Sequence, residues 1–303
     1  MRVSTDAINN FSKSVCMAAS GALSGFNLQA AGKVTGIIMK NILTFLEENA
    51  IKYKDKTAFV DLNDSVTYAE LLERAQSIGS ALSKTGTKNK PIAVYFDKCV
   101  NTISAMLGVV YSGNFYVVID SEMPPARINK IFGALSPVAV ITDKKHHENA
   151  LQLEFSGEIF DLEEALSCEI NSEKLAQIRS RQIDTDPLYA LFTSGSTGVP
   201  KGAVVSHKSV MAYSEWVSST FDITSETVFA NQTPFYFSMS VTDVYSTLRN
   251  GATLAIVPKM YFSFPIKLVE FLDEYKANTI YWVPSAISMV SNFKVFDCLF
   301  RKK

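Results

Sequence analysis

Short apolar segments with almost no polar face recur along this chain, and each is followed by a stretch of helical spacing. PIAVYF (Pro91 to Phe96), FYVVI (Phe115 to Ile119) and PVAVIT (Pro137 to Thr142) are of this kind. A strand that is apolar on both sides must be covered on both sides, which predicts a mostly parallel sheet clad in helices. The intervening segments fit the covers. Ile42, Leu43, Phe45 and Leu46 mark a first helix, and Leu71, Leu72, Ala75, Ile78, Gly79 and Leu82 mark another at helical spacing. Pro124 or Pro125 stands where a helix tolerates proline, at its first turn. The expected fold class is therefore α/β.

The alternation loosens between Lys144 and Asp186, where charged residues are common, and resumes at LYALFT (Leu188 to Thr193). Further strands are expected at TVFANQ (Thr227 to Gln232), ATLAIVP (Ala252 to Pro258) and NTIYWV (Asn278 to Val283), with helices beginning near Lys208, Val241 and Pro265. The expected organisation is a poorly defined extension over residues 1–40, then two layered subdomains at about 41–186 and 187–303. With 47% hydrophobic residues over 303 positions, the chain has the material for a substantial core. Its formal net charge of −1 supplies no basic excess for a nucleic-acid backbone or an anionic membrane. The four cysteines form no CxxC pair, which argues against a zinc site or a dense disulfide framework and for reduced thiols in the cytoplasm. His146 and His147, in the polar run DKKHHEN, read as a solvated loop or helix start.

The most informative stretch runs from Leu191 to His207, LFTSGSTGVPKGAVVSH. An apolar strand enters Thr193, Ser194, Gly195, Ser196, Thr197 and Gly198; Pro200, Lys201 and Gly202 follow, and then a second strand. Glycines let successive backbone N–H groups turn toward one anion, the hydroxyls add donors, and the lysine adds positive charge. These are the needs of a triphosphate. The Walker pattern is excluded, because Gly-Lys-Ser/Thr would have to open a helix. His207, without an orienting partner in view, reads as structural.

TSGSTGVPKG resembles the signature of the adenylate-forming (AMP-binding) superfamily, which includes acyl-CoA synthetases, luciferases, adenylation domains of nonribosomal peptide synthetases and D-alanine:carrier-protein ligases. VTYAEL (Val66 to Leu71) is similar to the family's LTYxEL segment, GNFYVVIDSEMPPARI (Gly113 to Ile128) to its GxxYVPID…P…RI segment, and PFYFSMSVTDVY (Pro234 to Tyr245) to its FDxSV region. They occur in the family's order, from about Asn41 almost to the end. Asp120, followed by proline and then Arg127-Ile128, resembles the amino-acid-activating branch.

The resemblance implies two layered α/β subdomains and a two-step reaction. A carboxylic acid, of amino-acid type, attacks the α-phosphate of ATP to give an acyl-adenylate, and the phosphopantetheine thiol of a carrier protein then takes the acyl group. It implies that Thr193, Ser194, Gly195, Ser196, Thr197, Gly198 and Lys201 hold the phosphates, with Lys201 and Thr197 in the catalytic role. Ser238, Met239, Thr242 and Trp282 would line the acyl pocket. Neighbouring strand residues face opposite ways, so Tyr281 and Trp282 cannot both face that pocket. Two departures stand out. Amino-acid-activating relatives carry an aspartate where this chain has Ser238. The segments expected to bind adenine and ribose, to ligate Mg2+ through a glutamate and to supply a catalytic lysine do not follow Trp282. Two other readings are thus an inactive fragment that binds nucleotide or a carrier protein, and an acyl-CoA synthetase, the latter disfavoured by the Asp120 to Ile128 segment.

Overall fold

A computed structural model describes residues 41–193 and 200–292. The extension expected over residues 1–40, the tail from 293 and five candidate phosphate-binding residues (Ser194, Gly195, Ser196, Thr197 and Gly198) lie outside the described residues.

The first half runs α1 (Leu43–Lys52), β1 (Thr57–Val60), β2 (Ser65–Thr67), α2 (Tyr68–Leu82), β3 (Pro91–Phe96), α3 (Val100–Tyr111), β4 (Phe115–Asp120), α4 (Pro125–Leu135), β5 (Ala139–Thr142) and α5 (Lys144–Leu151). It continues through β6 (Glu158–Asp161), α6 (Leu162–Leu166), α7 (Ser172–Arg181), β7 (Pro187–Thr193), β8 (Lys201–Ser206) and α8 (His207–Thr220). The last part is β9 (Val228–Asn231), α9 (Ser240–Asn250), β10 (Thr253–Ile256), α10 (Pro265–Glu274), β11 (Thr279–Ile280) and α11 (Pro284–Asn292). The VTYAEL segment owes its form to a capping box. Thr67 Oγ1 accepts from the Glu70 N–H at 3.2 Å, and the Glu70 carboxylate accepts from the Thr67 N–H at 2.8 Å, so the first turn of α2 loses none of its donors to the interior.

Two sheets result, in the orders β11-β9-β10-β1-β2 and β6-β5-β3-β4-β7-β8. Among the described residues every neighbouring pair is parallel except the hairpins β1–β2 and β7–β8. The mostly parallel α/β expectation is met. Sheet membership is interleaved in sequence: β7 and β8 continue the sheet of β3–β6, while β1 and β2 continue that of β9–β11.

The largest apolar cluster draws on both sheets, with Phe59 and Leu254 from one and Val94 and Tyr116 from the other, and on α1, α2 and α3. The far face of the six-stranded sheet is closed by Ile128, Ile131 and Phe132 of α4 and Ala150 of α5. The far face of the other sheet is closed by Leu268 and Phe271 of α10. Helices α2 and α3 cross closely because Gly79 and Gly108 face each other's helix. A Cβ on Gly108 would lie 2.3 Å from Ile78 Cγ2.

Candidate functional site

The hairpin β7–β8 holds the two ends of the hydroxyl- and glycine-rich loop against each other. Thr193 and Lys201 are directly paired across it, which places their side chains on one face about 5 Å apart. Both are exposed. A hydroxyl donor and an ammonium thus stand side by side at the loop's two feet. One step further in, the Phe192 ring lies across Gly202, and a Cβ there would meet Phe192 Cζ at 2.9 Å. The glycine of PKG is what lets this ring close the hairpin's base. As the sequence predicts, a strand rather than a helix follows the lysine.

His207 begins α8 and is buried. Its Nδ1 accepts from the Ile42 N–H at 3.5 Å, and burial lowers its pKa to about 4, so the ring is a neutral acceptor at neutral pH. It anchors the N-terminal helix to the hairpin rather than facing the loop, in keeping with a structural reading.

The segment from β9 into α9 carries Ser238, Met239 and Thr242. Ser238 is exposed and Met239 half-buried. The turn is already helical in its bonding, with the Val241 N–H donating to Ser238 O and the Thr242 N–H to Met239 O. Ser238 and Thr242 therefore share one side, a turn apart. Thr242 Oγ1 is 2.8 Å from the Tyr213 hydroxyl of α8. Burial pushes the Tyr213 phenol up to about 12, with the Tyr281 phenol acting in the same direction at close range. Sequence reasoning missed Tyr213 and Tyr281, since nothing local marks a helix tyrosine as a neighbour of a residue on another helix.

Trp282 goes elsewhere. Strand β11 ends at Ile280. Beyond it, Trp282 is buried edge-on to Phe262 at 5.1 Å between ring centres, and its Nε1–H donates to Ala230 O at 2.7 Å. Its neighbour Tyr281 is half-buried and helps to raise the Tyr213 pKa.

Asp243 faces the opposite way from Ser238 and is fully buried. Its Oδ2 accepts from Asn231 Nδ2 at 2.7 Å. The Lys98 ammonium, from the loop after β3, donates to Asn231 O at 2.9 Å and Gln232 O at 3.1 Å. Burial raises the Asp243 pKa and lowers that of Lys98, each partly offset by the other's charge. Lys98 thus pins the carboxyl end of β9, in one sheet, to the carboxyl end of β3, in the other. Asp243 is committed to this pin.

A small cleft lies between the six-stranded sheet and α9, lined among others by Tyr116, Tyr189, Leu191, Phe237, Ser240 and Tyr245. Its volume of about 10 Å³, counted for the centre of a water-sized sphere, suits about one water. On its floor the Tyr116 and Tyr245 hydroxyls meet at 2.6 Å.

Beside the carboxyl ends of β3 and β4, where open α/β sheets hold ligands, the chain's own polar side chains bond one another. Ser121 donates to Asp97, Lys145 pairs with Asp97, and His146 Nε2 is 3.2 Å from Asp97 Oδ1. The expectation of a solvated start at DKKHHEN is half corrected. His146 does sit in the first turn of α5, capped by Asp143, but its ring is buried, with Nδ1 2.6 Å from Asp143 Oδ1. Tyr95 and Asp97, far back in sequence, meet the ring, Tyr95 edge-on at 5.7 Å between ring centres. Among the described residues no cluster of three or more His, Cys, Asp or Glu side chains is placed to hold a metal ion, and no helix is long and apolar enough to cross a membrane.

The AMP-binding enzyme family model matches residues 46–302. An L-proline–[L-prolyl-carrier protein] ligase of Pseudomonas fluorescens is 29% identical over 278 residues, covering 83% of this chain and 52% of that protein. A D-alanine–D-alanyl carrier protein ligase of Bacillus velezensis is 31% identical over 241 residues, covering 77% of this chain and 46% of that protein. The chain spans about half the length of these curated relatives. The crystal structure of the nonribosomal peptide synthetase FmoA3 superposes with a TM-score of 0.73 at 22% identity, over 86% of this chain and 27% of that one.

Proposed function

Because the chain belongs to the AMP-binding enzyme family, we propose that it serves the ATP-dependent activation of a carboxylic acid, of the amino-acid class, as an acyl-adenylate destined for a carrier-protein thiol. Relatives named as carrier-protein ligases for proline and D-alanine support the acid and the carrier, and a neighbour solved with AMPPNP supports ATP as the nucleotide. The observation that carries the reading is the pairing of Thr193 with Lys201 at the feet of the loop. Pyrophosphate leaves as negative charge gathers on it. A fixed ammonium and hydroxyl at that place lower the barrier by being in position beforehand. Ser194, Gly195, Ser196, Thr197 and Gly198 would complete the cradle, with Thr197 beside Lys201 in the catalytic role. Ser238, Met239 and Thr242 would face the acyl group, with Trp282 supporting them from behind through its bond to β9. Magnesium would shield the phosphates, and among the described residues no cluster of His, Cys, Asp or Glu side chains is placed to ligate it.

The test is calorimetry with the whole chain. Lys201→Ala is expected to weaken ATP and pyrophosphate by about tenfold or more, the scale of one charge-assisted bond, while AMP changes by less than about twofold. Equal losses for ATP and AMP would remove Lys201 from the leaving phosphates.

A further inference from the structure

The His146 ring lies between two carboxylates. Its Nδ1 is 2.6 Å from Asp143 Oδ1 and its Nε2 is 3.2 Å from Asp97 Oδ1, while the residue is only 5% exposed. We infer that this ring is a proton-operated clasp on the loop after β3, closed when both nitrogens carry a proton and released as rising pH removes one.

A neutral imidazole has one N–H and one lone pair, so it donates to one carboxylate only, whereas the imidazolium donates to both. Loss of a proton sets a nitrogen lone pair against a carboxylate oxygen, and so buried a ring has little water to replace the lost bond. Histidine is the side chain suited to change charge between about pH 5 and 8. The groups around the ring hold their own charge there. Burial works against the Asp97 carboxylate, but bonds from Lys145 and Ser121 outweigh it and keep its pKa below the usual range. The bond to Asp97 raises Lys145 in turn. Burial raises the Tyr95 phenol, which stays neutral. Lys144, on the same turn of α5, pairs with Glu163.

The loop that the clasp holds also reaches the other sheet. Asp97 is followed by Lys98, whose ammonium grips the Asn231 and Gln232 carbonyls. Asn231 O accepts from the Val257 N–H as well, at 3.1 Å. Clasp and grip stand on consecutive residues, so releasing Asp97 loosens the hold of Lys98 on β9.

Native-state hydrogen exchange on the 303-residue chain, corrected for the intrinsic pH dependence of amide exchange, is the test. The reporters are the Cys99 and Val100 amides, which donate to Thr102 Oγ1 and Asp61 Oδ2. Between about pH 5.5 and 8 they are expected to lose protection by about tenfold or more, the factor for one bond to a charged group. Val257 should follow, and Val94, in the middle of β3, should not change. His146→Gln is expected to abolish the response. If circular dichroism shows that variant unfolded, Asp97→Asn, which takes the carboxylate from Nε2, is expected to leave Cys99 and Val100 poorly protected at both pH values. Burial brings Lys98 down and Asp243 up, each to about 7. Both remain in either variant, so a response that persists there belongs to them and overturns the clasp. A wild type without the response overturns it too, as does an equal loss at Val94, which would be global opening.

Discussion

His207 shows how much a single ring can tie to pH. Its Nδ1 must stay unprotonated to accept from the Ile42 N–H, and burial holds its pKa near 4. An unfolded histidine titrates near 6.5. Between these values the unfolded chain binds more protons than the folded one, so stability rises with pH across that window. The contribution is fully present above about 6.5 and is lost as pH falls toward about 4, on the order of 3 kcal/mol in all. Urea unfolding from pH 4 to 7.5 should show this slope in the wild type and not in His207→Gln; a slope shared by both would place it in other groups. At Ser238 the change runs toward function. A serine offers no charge to a substrate ammonium, whereas Ser238→Asp on that exposed turn offers a charge-assisted bond. The variant is expected to favour alanyl- over lactyl-sulfamoyladenosine by a further 1–3 kcal/mol, roughly the range for bonds to charged groups. If the preference does not move, Ser238 does not face the amine.

At the scale of elements, the strands were legible wherever burial is two-sided, since Ile92, Val94, Val117 and Ile141 leave no water-facing alternative. The strand after Lys201 was legible too, because it is set by neighbours in sequence. What the sequence conceals is set by distant partners. Tyr95 and Asp97 meet His146, α8 brings Tyr213 to Thr242, and past the early end of β11 Trp282 packs against Phe262. The crossing of α2 and α3 is a case where the glycines look like weak helix formers and are instead contact points. Gly108→Ala gains about 1 kcal/mol of helix propensity. It also drives a methyl to 2.3 Å from Ile78 Cγ2 and 2.5 Å from its Cβ, overpacking that costs about 1–3 kcal/mol. A net loss of stability is expected, read as a lower urea midpoint. Ile78→Ala added to Gly108→Ala should restore part of it if the clash is the cause.

Across the whole molecule, the two sheets are joined both by a shared core and by the Lys98 pin. Lys98 bonds the Asn231 and Gln232 carbonyls, and its charge partly offsets the burial of Asp243; leaving such buried groups without a partner costs about 1–3 kcal/mol. Lys98→Ala is expected to cost that much, and Lys98→Met with Asp243→Leu to recover most of it, since apolar residues of similar volume often replace such pairs without loss. A double variant no better than the single would mean that the carbonyls of Asn231 and Gln232, not the charge of Asp243, are what Lys98 serves.

Strand β1 forms near the beginning of the described chain, but its parallel partner β10 lies near the end, with Phe59 set against Leu254. The six-stranded sheet has no such debt, because β3 to β8 follow one another without a break in sequence. During synthesis at the ribosome, the earliest of the described strands to emerge is therefore among the last to find its place. The six-stranded sheet can close first, and the hairpin β1–β2 waits with one edge unpaired until β10 is delivered. Closing so long a loop is slow. Until it closes, that unpaired edge is the part of the nascent chain most in need of a chaperone.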